Sequence, residues 1–208
     1  MSPPQDIGDQ ALLGVAGTPA AGGSAWEFID SQILGSNGTT MEVHFDSAIN
    51  FSDVQSFAIY MSASLNQSPS YQDASLRFGT GGTVISSGDY EAFGVVIQDG
   101  NQGVRQIPGS GLLNTSYGET SFRTETSNLG GTWISLTYLT MDPITSKPHM
   151  VMTVASDNRQ TDSTREMAML SCGGVIDTTL TSLQDITMTS GNSFLAGSRM
   201  YVYKVLST

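Results

Sequence analysis

The chain has 208 residues, enough for one full-sized sandwich or barrel and short for two domains. Only 13% of them are charged while 23 are glycine, a mixture that favours turns and half-buried strands over long surface helices. With 19 acidic against 8 basic residues the formal charge is -11, and the basic residues stand singly, so nothing resembles the stripe that neutralises nucleic-acid phosphates. The acidic excess reads as a solubility feature of a protein present at high local concentration.

The opening stretch, MSPPQDIGDQALLGVAG, lacks the basic and apolar regions of a signal peptide, and nowhere do about 18 apolar residues run together to cross a membrane. Cys172 stands alone, which excludes an intramolecular disulfide and fits a reducing compartment. Across residues 1–24, Pro3, Pro4, Pro19, Gly14, Gly17, Gly22 and Gly23 break every periodicity and leave an apolar island at Ile7, Leu12, Leu13 and Val15. Such a segment cannot repay its own ordering entropy. The expectation is an extended arm, either a loose tail or a clasp whose apolar quartet docks on a neighbour, followed by one domain over residues 25–208.

From Trp26 the pattern is that of strands. AWEFIDSQIL and TTMEVHFD are separated by Gly35-Ser36-Asn37-Gly38, whose Asn-Gly pair predicts a tight hairpin. In the second segment Met41, Val43 and Phe45 alternate with Glu42, His44 and Asp46, and in SFAIYMSASL the set Phe57, Ile59, Met61, Ala63, Leu65 alternates with Ala58, Tyr60, Ser62, Ser64; each has a core side and an opposite side. Further strands are predicted at 74–80, 90–98, 103–107, 120–125, 133–141, 147–156, 166–171, 186–189 and 199–206, punctuated by Gly81-Gly82, Asp99-Gly100, Pro108-Gly109, Gly130-Gly131, Asp142-Pro143, Gly173-Gly174 and Gly191-Asn192. TREMAML and LTSLQDI are ambiguous between helix and strand, but each is short for a helix. About a dozen strands with turn residues between them predict an all-β, antiparallel sandwich; if the 199–206 strand pairs beside the 26–34 strand, both ends are protected.

Three stretches carry a family resemblance: AWEFIDSQIL at the start of the domain, FAIYMSASLNQSPSYQDASLRFGTGG in the middle, and LQDITMTSGNSFLAGSRMYVYKV at the end. Together they resemble the jelly-roll or concanavalin-like β-sandwich virion proteins of tailed bacteriophages, although Tyr203 is followed by Lys204 where that family has a glycine. The resemblance implies a capsid decoration (cement) or appendage subunit, binding copies of itself and a larger capsid or tail protein, located in the virion and assembled in the host cytoplasm. It carries over no catalytic, cofactor-binding or metal-ligating residue.

The residues themselves point to binding rather than catalysis. His44 and His149 lie in predicted strands without further ligands at zinc spacing, and His44 falls on the polar side, suited to solvent or to a cross-strand contact. PGSGL at 108–112 is not a nucleophile elbow, and Cys172 has no base near it in sequence. Asp89 and Glu91 have the side-by-side placement that acid–base work on a glycoside needs, but such a pair arises easily among 19 acidic residues. DGNQG at 99–103 starts like a calcium loop and lacks the acidic closer, and GTGG at 79–82 has no phosphate-loop lysine. Tyr71, Tyr90 and Tyr117 fall in or beside loops. They either stand on the rim, stacking on a glycan in a tail-associated receptor or carbohydrate-binding module, or cap the core.

Overall fold

The computed structural model describes residues 26–65, 74–85, 90–98, 101–107, 132–161 and 164–206. They form twelve strands: β1 Trp26–Ile33, β2 Gly38–Asn50, β3 Ser56–Ser64, β4 Ala74–Thr80, β5 Thr83–Val84, β6 Tyr90–Gln98, β7 Asn101–Ile107, β8 Thr132–Met141, β9 Pro148–Thr161, β10 Thr164–Ile176, β11 Ser182–Phe194 and β12 Arg199–Val205. A single 3-10 turn at Phe51–Asp53 interrupts them, and no α-helix occurs among the described residues. The arm quartet Ile7, Leu12, Leu13 and Val15 and the predicted strand at 120–125 lie outside the described residues.

Two antiparallel sheets stack as a β-sandwich. The larger has eight strands in the order β1-β12-β3-β8-β9-β10-β6-β7, the smaller four in the order β2-β11-β4-β5. Their facing sides are built by the alternation seen in the sequence. Met41, Val43 and Phe45 from β2, with Leu76, Phe78, Ile186 and Met188 beside them, meet Phe57, Ile59, Met61, Met200 and Val202 from the larger sheet. Side chains of this size each contribute roughly 1.5–3 kcal/mol when removed from water. Phe51 closes one end with an edge-on contact to Phe57, ring centroids 5.2 Å apart.

The last strand pairs where the sequence places it. Trp26 stands opposite Val205, and β12 lies between β1 and β3. The predicted Asn37-Gly38 hairpin is corrected. β1 and β2 belong to different sheets, and Gly38 does not adopt a positive φ. The link is a corner tied to the turn before β12: Leu34 N–H donates to the Ser198 carbonyl (2.9 Å), Gly197 N–H to the Leu34 carbonyl (2.8 Å), and Ala196 N–H to Asn37 Oδ1 (2.9 Å). β1 pairs with β12 and β2 with β11, so the Asn-Gly pair serves a crossing between layers rather than a pairing of neighbours.

Two other predicted turns are also strand. Gly173-Gly174 lies inside β10, opposite Phe93-Ala92 on one side and Val151-Met150 on the other. Gly191-Asn192 falls within β11, where the register to β2 shifts between Thr189 and Phe194; the glycine marks an irregularity in a strand, a common use of glycine in sheets. TREMAML is wholly strand in β10, and LTSLQDI leads into β11.

The β4–β5 hairpin turns on Gly81 (φ 63) and Gly82 (φ 76), the left-handed pair that a two-residue hairpin needs. A Cβ on Gly79 would lie 2.2 Å from the Thr83 carbonyl oxygen, so the returning backbone folds tightly over this residue. Gly79→Ala forces two main-chain segments apart, and the expected loss is about 1–3 kcal/mol, read as a lowered urea midpoint with an unchanged slope.

Candidate interaction face

Among the described residues, three parts have the chemistry or shape to act on something else: a buried carboxylate on the smaller sheet, a groove at one end of the sandwich, and the outward side of the larger sheet.

The carboxylate is Asp185. In β11 the register to β2 shifts between Leu183 and Asp185, which turns Asp185 outward, opposite His44 of β2 and Gly79 of β4. It is nevertheless only 1% exposed. The missing side chain at Gly79 and the hairpin folded over it enclose the group, and its charge is met by hydrogen bonds, as burial of an ion requires. Oδ1 lies 2.5 Å from His44 Nδ1, and Oδ2 accepts from Gly82 N–H at 3.0 Å. Gln184 extends the network, accepting from Gly81 N–H at 3.0 Å and donating to the Phe45 carbonyl at 2.9 Å.

His44 thus makes the cross-strand contact that its place in the sequence allows. A histidine held by a carboxylate is half of a general base, but a working one needs a nucleophile or substrate atom at its other nitrogen. The neighbour recorded there is the Gln184 amide nitrogen, 3.5 Å from Nε2. No group of three His, Cys, Asp or Glu side chains placed to hold a metal occurs among the described residues. The arrangement fastens the β4–β5 turn to the sheet. Asp185→Ala is expected to cost about 2 kcal/mol, the scale of losing hydrogen bonds to a charged group, and to speed amide exchange at Gly81 and Gly82. Asp185→Asn, which keeps acceptor capacity, should lose less.

The groove, about 520 Å³, runs between the β2–β3 connection and the β8–β9 turn, with Phe51, Val54 and Met141 as its apolar floor and Asn50, Gln55 and Asp142 on its walls. Asp142 organises the turn: its oxygens accept from Ile144 N–H (2.9 Å) and Thr145 Oγ1 (2.5 Å), and Ser146 adopts φ 54 to complete it. The groove is the seam between two connections, and no nucleophile–base pair converges on it among the described residues. The Thr145 hydroxyl, followed by the Ile144 N–H, lowers the Asp142 carboxyl below its ordinary 3.8. A carboxyl lowered on folding stabilises the fold above its unfolded value, and that contribution is lost as pH falls through the folded value. The stability difference between wild type and Asp142→Ala, followed by thermal unfolding, should therefore be constant at neutral pH and shrink as pH is taken below 3.8.

The third feature is the largest. On the side of the eight-stranded sheet that faces away from the core, register aligns Phe28, Tyr203, Ala58, Tyr138 and Val151 in one row across five strands, and Ser31, Tyr201, Tyr60, Leu136 and Thr153 in the next. Ile33, Arg199, Ser62, Ile134 and Ala155 form a third. The rings interlock: Trp26 meets Tyr138 edge-on at 5.8 Å, Phe28 meets Tyr203 at 5.7 Å, and Tyr60 lies 6.3 Å from Tyr201. Ala58, beneath Tyr203 and Tyr138 in the row, is fully buried. Outward of this layer, apolar surface stays in water: Phe28 is 47% exposed, Ile134 51%, Val151 58% and Tyr138 36%.

Charge sharpens the contrast. Across the three rows from Phe28 to Ala155 there is no aspartate or glutamate, in a chain with 19 of them; Asp157 stands opposite Thr132 in the row beyond. Among the described side chains on this side, the ionisable groups of other kinds are the tyrosines, with Arg199 at one end and His149 at the other, both exposed. The outward side of the smaller sheet carries Glu42, His44 and Asp46 in a single strand.

Of the tyrosines singled out in the sequence, Tyr90 does not belong to this face. Tyr71 and Tyr117 lie outside the described residues. Tyr90 is 1% exposed, with its hydroxyl accepting from Phe78 N–H at 2.9 Å; the core cap, not the rim, is its place, because the ring packs between the sheets and the backbone of β4 satisfies its oxygen. Asp89 and the side chain of Glu91 lie outside the described residues. Cys172 is buried, and that burial pushes its thiol up to about 11, which suppresses the reactive thiolate. The outward residues went unnoticed in the sequence because Tyr138, Ile134, Tyr201 and Val151 each read as one half of an ordinary strand alternation. The available signal was that β8 and β12 carry Ile134, Leu136, Tyr138, Tyr201 and Tyr203 on the half that alternates with core residues such as Leu139, Met200 and Val202, which a strand with one wet side does not need.

Compared with family models, with curated proteins and with solved structures, the chain matches none.

Proposed function

We propose that this chain is a non-enzymatic structural subunit that binds neighbouring protein surfaces through the outward side of its eight-stranded sheet. The setting is the one its sequence resemblance implies, the virion of a tailed bacteriophage, where a jelly-roll or concanavalin-like sandwich serves as a capsid decoration or appendage subunit beside a larger head or tail protein. The observation that supports this reading is the aromatic face, without a carboxylate in its three central rows, whose exposed Phe28, Tyr138, Ile134 and Val151 form the kind of contiguous apolar patch that marks an interaction site. Tyrosine, phenylalanine and tryptophan are the side chains that dominate protein interfaces. The remaining reactive groups support binding over catalysis: His44 is tied to Asp185, and the Cys172 thiol is buried.

The chain is expected to co-purify with assembled particles at fixed stoichiometry. Hydroxyl-radical footprinting should then show Tyr138, Ile134 and Val151 shielded in particles relative to the isolated chain, with Thr40 and Glu42 of the smaller sheet unchanged. A chain that never accompanies particles, or one whose larger-sheet face is equally open in both states, overturns the reading.

A further inference from the structure

Resting on that reading, we infer that the partner seated on this face is a second copy of the chain, packed against it with two-fold symmetry. The first argument is charge. In a two-fold contact the same patch occurs on both sides, so carboxylates near the axis would meet carboxylates, and like charges brought together in an interface cost several kcal/mol. A chain of net charge -11 can approach its own copy closely through a surface whose centre lacks acidic side chains, and the three rows from Phe28 to Ala155 form such a centre, with Asp157 in the row beyond them. A different partner imposes no such restriction. An acidic protein meeting a foreign surface gains steering and selectivity by presenting its carboxylates to basic groups, and the three central rows present none.

The second argument is size. Five strands about 4.8 Å apart, each contributing roughly eight residues at about 3.3 Å, span on the order of 600 Å². Two copies then bury about 1,200 Å² together, the lower bound of a specific, stable interface. Face-to-face stacking of sheets also suits the shape, since the two outward faces carry the same twist and can align as sandwich layers do. The centre of the patch, at Tyr60, Leu136 and Tyr138, is aromatic and aliphatic, while Arg199 and His149 stand at its ends, the distribution of an apolar core with a polar rim.

The test is sedimentation of the full chain over a range of concentrations. Wild type should show a monomer–dimer equilibrium. Ile134→Glu and Val151→Glu place carboxylates on the patch at residues that are already half exposed, and each should raise the dimer dissociation constant roughly 100-fold. Thr40→Glu on the smaller sheet should leave it unchanged. Circular dichroism melts identify any variant that fails to fold, and two separate positions keep the comparison interpretable. A chain that is monomeric up to about 100 µM, well above the range of a standard-sized contact, overturns the inference. So does a dimer indifferent to both substitutions. Failure here is separable from failure of the structural role: a monomer whose face is shielded in particles removes the self-contact and keeps the role, and a dimer that never enters particles does the reverse.

Discussion

A strand has two sides and a sandwich core occupies one of them. That geometric constraint governs the molecule, because the eight-stranded sheet must place Phe57, Ile59, Met61, Met200 and Val202 against the smaller sheet and must also find a stable state for whatever alternates with them. In β2 the alternate residues are Glu42, His44 and Asp46, which water solvates. In β12, β3 and β8 they are Tyr201, Tyr203, Tyr60, Leu136 and Tyr138, which pack sideways on one another and leave apolar edges exposed. The two layers therefore have different outer surfaces for a reason internal to the fold: one ends at solvent and the other is built as though a further layer were to follow.

The smaller sheet solves a different problem. Its far edge, β4 and β5, is narrow and contributes little apolar area beyond Leu76 and Phe78. The hairpin is held by polar means, with Gly79 allowing the backbone to close in and Asp185 accepting from Gly82 while engaging His44. A buried carboxylate with its hydrogen bonds made rigidifies a turn that hydrophobic contact alone would leave loose. The same side of the sheet carries Arg77 and Thr187, whose Nε and Oγ1 are buried without a recorded hydrogen-bond partner.

Much of the fold was legible because period-2 alternation and turn residues are local signals. The core sets of β2 and β3 emerged residue for residue, and β4 and β6 match their predicted bounds. What failed were signals whose meaning depends on distant chain. Asn37-Gly38 reads as a hairpin, yet whether two consecutive strands pair or part is decided by β11 and β12, some 150 residues later. Gly173-Gly174 reads as a turn, yet strands on both sides of β10 hold it straight. Tyr90 reads as a loop aromatic until the Phe78 backbone is found beside its hydroxyl. The interaction face was hidden for a related reason: its residues are spread over five strands, and only register brings Phe28, Tyr138 and Val151 into line.

The pairing of Trp26 with Val205 has a mechanical meaning. Force applied between these two points would peel β1 from β12 one hydrogen-bonded pair after another, from the end inward, so the resistance at any instant is that of a single rung. Traction between Trp26 and the opposite end of β12 would instead load every rung of the ladder at once. How firmly the sandwich withstands being tugged therefore depends less on its interior than on the direction in which its tethers leave that corner.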